Sequence, residues 1–154
     1  MDGLCSVREA FSAANTNQPV DGCKAGGPTD IVLIPPGTYT LTQGVVVLEG
    51  STEVRGYGAT LSRSVGQQPP LSNEAFVRIA PTAHAVLKGV TLNGSGEFCG
   101  GLLNEGNLFV IDGSLTNTRA LVPNSCLSGA GLNNRGTATL LRTSITNNQA
   151  ETGG

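Results

Sequence analysis

The chain has 154 residues, enough for one domain with a core of its own, and carries a net charge of −2 with only 13% charged residues. That balance excludes a disordered chain, and the nine Lys and Arg are scattered between Arg8 and Arg142 instead of forming the basic patch that nucleic-acid binding requires. Glycine supplies 22 residues without a Gly-X-Y period, which excludes collagen and favours a turn-rich β chain, and no apolar run reaches transmembrane length.

The first predicted element is a helix. Ser6-Val7-Arg8-Glu9 has the form of a capping box, in which the Ser6 hydroxyl accepts from the Glu9 amide and the Glu9 carboxylate reaches back. Val7, Ala10, Phe11 and Ala14 then recur at helical spacing and make one apolar face. Asn15 to Asn17 and Pro19 end it, so the helix with its caps spans 6–17. At two to three turns it is too short to stand alone, and its apolar face is expected to close the open end of the fold.

Short strands follow. Asp30–Ile34, Thr38–Leu41, Val45–Leu48 and Thr52–Gly56 are separated by Pro35-Pro36-Gly37, Gln43-Gly44 and Glu49-Gly50. Gly58–Arg63 continues the pattern, and an excursion is expected at about 65–74, where Pro69 and Pro70 cannot both sit in a central ladder. Phe76–Ile79 and Ala83–Gly94 resume it.

A repeat explains this spacing. The stretch Gly101-Leu102-Leu103-Asn104-Glu105-Gly106 through Ser114-Leu115-Thr116-Asn117 returns thirty residues later as Gly131-Leu132-Asn133-Asn134-Arg135-Gly136 through Ser144-Ile145-Thr146-Asn147. A shift of 23 residues also sets Leu87 over Val110 and Leu92 over Leu115. A bare coil is therefore about 23 residues, and a second excursion, at about 118–128, accounts for the longer return. Such a unit buries its apolar face only when a neighbour stacks on it, so the expected fold is an all-β solenoid filling 1–154 as one domain, with coils from about 30 to 154. Ser and Thr at 91, 114 and 144 are expected to form a file, and Asn104 with Asn134, and Asn117 with Asn147, to form side-chain ladders. Gly153-Gly154 resembles the start of another turn, which predicts further coils of the same chain or end-on self-association.

Cysteines stand at 5, 23, 99 and 126, and three pairings are open. Their order and the repeat favour Cys5–Cys23, tying the helix to the body, and Cys99–Cys126, stapling the second excursion. The alternative is four reduced, buried thiols in a cytosolic protein. Disulfides imply an extracytoplasmic home.

The opening Cys5-Ser6-Val7-Arg8-Glu9-Ala10-Phe11-Ser12-Ala13-Ala14-Asn15 resembles that of the CSLREA domain, with Val7 for Leu and Phe11 for Ile. The resemblance continues through Cys23, Asp30–Leu33, Pro36–Leu41, Val54–Ala59 and the Gly-Leu-Asn-Asn repeat at 131–148. It implies a secreted or surface-displayed bacterial right-handed parallel β-helix, its first coil capped by a helix. It offers no catalytic set to carry over, and the architecture serves adhesins and polysaccharide-cleaving enzymes alike.

Chemistry is thinly signalled. A glycosidase needs two carboxyls facing each other across a bond, yet Glu105 and Asp112 have Arg135 and Arg142 at the matching positions one repeat on, which fits salt bridges between coils. His84 lacks a recognisable nucleophile and orienting acid, and no metal-binding motif occurs, calcium included. Glu97, Glu105, Asp112, Arg119 and Arg142 remain candidates for one face that holds an acidic sugar. The expected function is a non-catalytic structural or adhesive module of an exported bacterial surface protein, needing no cofactor, with calcium left open although no motif supports it. The alternative is a carbohydrate-active enzyme or sugar-binding module acting on acidic polysaccharide, with surface glycans as partners.

Overall fold

The computed structural model describes residues 2–42, 44–63, 75–97, 100–120 and 129–150. The helix forms as its residues dictate: α1 (Val7–Thr16) has Ser6 as N-cap, a complete capping box with Glu9, and Asn17 in the left-handed conformation as C-cap. Phe11 and Ala14 enter the core, and Val7 and Ala10 pack against it.

Thirteen strands are described: β1 (Asp30–Leu33), β2 (Gly37–Leu41), β3 (Val46–Leu48), β4 (Ser51–Arg63), β5 (Val77–Ile79), β6 (His84–Glu97), β7 (Leu102–Asn104), β8 (Asn107–Ile111), β9 (Ser114–Ala120), β10 (Leu132–Asn134), β11 (Thr137–Leu141), β12 (Ser144–Thr146) and β13 (Gln149–Ala150). They form two sheets. One runs β3-β5-β7-β10, the other runs β1-β4-β6-β8-β11, with β2 on β4, β9 on β6, and β12 and β13 on β9. Every pairing between these strands is parallel. From β3 onward the chain alternates between the sheets, and each pass stacks on the one before it.

The stacking register follows the repeat. Leu87 pairs with Val110 and Leu92 with Leu115, and these in turn meet Leu140 and Ile145. Partners stand 22 residues apart between β1 and β4, at Val32 and Val54, and 23 apart between β6 and β8. The two longer returns run through the positions where excursions are expected. Residues 64–74 and 121–128 lie outside the described residues, while β9 itself continues to Ala120 and pairs there with Ala150.

Side chains alternate between core and exterior. Along the column Val32, Val54, Leu87, Val110, Leu140, exposure is 8%, 0%, 4% and 1% and then rises to 40% at the last described tier. Each interior residue is buried by the tiers on either side of it, and nothing among the described residues lies beyond Leu140.

One element differs from expectation. Thr52–Gly56 and Gly58–Arg63 are not separate strands but one, β4, with a register shift between Arg55 and Ala59. The bend recurs tier after tier: Gly58, Gly89, Asp112 and Arg142 stand at the same corner, all with positive φ. Glycine adopts that conformation at no steric cost in the first two tiers, so the strand bends without breaking.

Candidate functional site

The features expected to carry function fall into three groups, beginning with the cap. Cys5 and Cys23 form the expected disulfide, with 4.7 Å between their Cα atoms. Cys99 and Cys126 lie outside the described residues. Two further clamps, absent from any motif, hold α1 on β3 and the residues flanking it. Arg8 donates to the carbonyls of Gly44 and Val45, and burial lowers its pKa. Asn15 donates to the Val47 carbonyl at 2.7 Å and accepts from the Glu49 amide at 3.1 Å. Beside this cap a groove of about 830 Å³ runs between the start of α1 and strands β1 and β2. Among the described residues Glu9 is the one carboxylate that lines it, and Glu9 is committed to capping the helix. Acid–base hydrolysis of a sugar would need a second carboxyl across the groove.

The second group is polar and runs along the stack. Asn104, with no exposed surface, donates to Oδ1 of Asn134 at 2.6 Å and to the Thr137 carbonyl at 2.9 Å, while its own Oδ1 accepts from the Gly106 amide. This is the expected ladder, and it satisfies an amide that would be costly to bury unpaired. The Ser–Thr file also forms between its outer two members, Ser144 and Ser114, whose hydroxyls meet at 3.0 Å, with Thr91 in register beneath Ser114. Asn117 reaches down instead of up: its amide donates to Asn93 at 3.3 Å. The cross-tier amide above it is Asn148, which accepts from the Thr118 amide and donates to the Leu115 carbonyl. Asn117 and Asn147 share the left-handed conformation, so their matching identities also serve the backbone of a turn.

The third group contains the charged candidates. Asp112 and Arg142 form a two-pronged ion pair across tiers at 2.5 and 2.9 Å. The hydrogen bond from Arg142 is the largest cause holding the Asp112 carboxyl below its ordinary range. Arg142 also contributes through charge, as does Lys88, and the same pair raises Arg142. Glu105 lies between two arginines, Arg78 at 2.6 Å and Arg135 at 3.9 Å. The Arg135 partnership follows from the repeat, whereas Arg78 belongs to another strand with no matching position to reveal it. On the first-half exterior, Arg55 grips Glu53 two residues back, lowering the pKa of Glu53 and raising its own. Glu97 and Arg119 are backbone partners in β6 and β9.

These candidates do not converge. Glu105 precedes β8, Asp112 follows it, and the Glu97–Arg119 step lies past the next bend, so the first two are on the order of 20 Å apart along an extended strand. His84 is exposed at the start of β6, in register with Ser51 and Asn107. Among the described residues no three His, Cys, Asp or Glu side chains gather as a metal site would require, and no helix is long and apolar enough to cross a membrane.

Fold and site together define a parallel β-sheet protein with one N-terminal helix, fastened by a disulfide and by polar clamps to β3. Comparison with known proteins found no matching family model, no matching curated protein and no matching solved structure.

Proposed function

We propose that the chain is a non-catalytic structural or adhesive module of an exported bacterial surface protein, folded as a right-handed parallel β-helix whose first turn is closed by α1. The cyclic path supports the winding: the chain visits β3, then the two halves of β4, then β5, then the two halves of β6, each time one tier further along. Right-handed passage is the expectation because about 98% of parallel crossovers take that hand. The Cys5–Cys23 disulfide and the CSLREA-like opening support export to an oxidising compartment.

One observation carries the structural reading: Glu105 and Asp112, the described carboxylates proposed for chemistry, are spent on arginines of neighbouring tiers. Charges so placed fix the stacking and leave neither Glu105 nor Asp112 free to act as an acid or base. Incubation with a panel of acidic and neutral polysaccharides, followed by reducing-end and unsaturated-product assays, tests it. Turnover above buffer would sink the non-catalytic reading.

A second reading, glycan binding without cleavage, has its own support. Ile31, Leu33, Tyr57 and Phe109 are exposed in or beside the first half of the large sheet, where Arg55 and Lys88 are adjacent in register on an exterior column. Aromatic and apolar surface beside cations suits an acidic sugar chain. Retention on immobilised uronate polymer, abolished by the double change Tyr57→Ala and Phe109→Ala, is the result this reading requires.

A further inference from the structure

Past the corner marked by Gly58, Gly89, Asp112 and Arg142, the outer face of the large sheet changes character. Residues 38–40, 60–62, 91–93, 114–116 and 144–146 stack there in unbroken parallel register, one segment per tier. The middle residue of each segment belongs to an interior column, in which Leu61, Leu92 and Leu115 are buried. Its two neighbours point the other way, because side chains alternate along a strand. They form two exterior columns. One is Thr38, Thr60, Thr91, Ser114 and Ser144; the other is Thr40, Ser62, Asn93, Thr116 and Thr146.

Nine of these ten positions carry a hydroxyl and the tenth carries an amide, so neither column contains a charge or an aromatic ring. Paired strands lie about 4.8 Å apart and alternate residues of one strand about 7 Å apart, which makes the two columns a regular two-dimensional array. Neighbouring tiers fix one another. Ser144 donates to Ser114 at 3.0 Å, the Thr40 and Ser62 hydroxyls meet at 3.3 Å, and those of Thr116 and Thr146 also meet at 3.3 Å. A hydroxyl has one donor and two acceptor sites, so one bond to a neighbour leaves capacity toward solvent. Ser62 is buried, while the other nine are at least partly exposed. The three central tiers have a described neighbour on either side, so the array does not depend on the ends of the stack.

We propose that this face binds ice. Both repeats of the array are close to the oxygen repeats on the prism faces of hexagonal ice, so water held by the two columns lies in register with that lattice. Six of the ten residues are threonine, which sets a methyl group beside each hydroxyl, and apolar surface between the anchoring bonds favours ordered water over exchangeable solvent. An uncharged face complements an uncharged lattice, whereas an anionic chain would require cations here. A crystalline sugar surface would call for aromatic rings, and Tyr57 and Phe109 lie outside both columns. The inference goes beyond the structural reading by naming a solid ligand. Turnover of polysaccharide would overturn that reading and leave this one standing.

The test grows a single ice crystal slowly in a dilute solution of the full chain and measures how much protein the ice retains, with inhibition of ice recrystallisation as a second readout. The chain should be enriched in the ice and should keep crystals small. The double variant Thr91→Lys with Thr116→Lys places two long cations in the central tiers and should lose both effects, with its urea midpoint compared to show that it folds. Thr60→Lys, on a different tier, should give the same loss should the double variant fail to fold. Thr139→Lys, exposed on the other side of the corner, should retain both effects. Exclusion of the unaltered chain from ice would overturn the proposal, as would full retention by the folded Thr91 and Thr116 variant or equal loss in Thr139→Lys. Retention on crystalline cellulose in place of ice would overturn it in favour of a neutral polysaccharide.

Discussion

The side-chain amide of Asn104 lies 2.6 Å from the amide oxygen of Asn134, thirty residues further along, in a position with no access to water. Asn104 also holds the Gly106 amide and the Thr137 carbonyl, so one side chain satisfies groups on two tiers. Replacing it with leucine removes the side-chain bonds that join the Gly106 amide, the Asn134 side chain and the Thr137 carbonyl across two tiers. Asn104→Leu should cost about 1–3 kcal/mol in urea denaturation, since each hydrogen bond lost is worth about 0.5–1.5 kcal/mol net. Asn134 is exposed, and Asn134→Ala should cost less than half as much.

The Cys5–Cys23 link closes a loop of 18 residues around the start of α1. Removing it with Cys5→Ser and Cys23→Ala should destabilise the chain by about 3 kcal/mol by the loop-closure account. The loss should begin locally, with faster hydrogen exchange in α1 before any change in β6 or β8. Uniform loosening of all strands would contradict this view of the helix as a separately fastened cap.

Gly89 has φ +67, and a Cβ placed there would lie 2.6 Å from the Tyr57 ring. Gly89→Ala should therefore cost about 1–3 kcal/mol, from backbone strain and a steric clash together. Adding Tyr57→Ala relieves only the clash, so the double variant should recover part of the loss. Full recovery would mean that the left-handed corner contributes nothing.

Acid should loosen the stack at the ion pairs. The pKa values of Asp112 and Glu53 are lowered in the fold, each chiefly by the hydrogen bond from its arginine. Groups depressed on folding contribute stability above their unfolded pKa of about 4, and lose it as pH falls through the lower folded value. The urea midpoint should thus hold between pH 7 and pH 5 and decline below about 4. In Asp112→Asn the neutral-pH midpoint should be slightly lower and the acid decline shallower. Both pairs are exposed enough for salt to weaken them, so the effect is small.

The capping box, the first disulfide and the register of Leu87 on Val110 were all legible because each depends on residues a fixed distance apart in sequence. The Asn104–Asn134 ladder and the Asp112–Arg142 pair were legible for the same reason, since the thirty-residue repeat sets one over the other. The clamps of Arg8 and Asn15 on β3 were not, because they bond to backbone, which has no residue code. Nor was Arg78 beside Glu105: they come from different strand positions and meet only after β5 and β7 have paired.

The sequence by itself determined the repeat, and with it the parallel register, because apolar residues at one period can all be buried only when the periods stack in phase. The tertiary structure decided how each corner is turned and where each polar side chain finds its partner. Asn117 could have bonded to either neighbouring tier, and its amide donates to Asn93 below, while Asn148 takes the bonds above. Identical residues at a repeat distance make a ladder available, but side-chain direction and corner geometry choose its rung. That choice exists only once three tiers lie together.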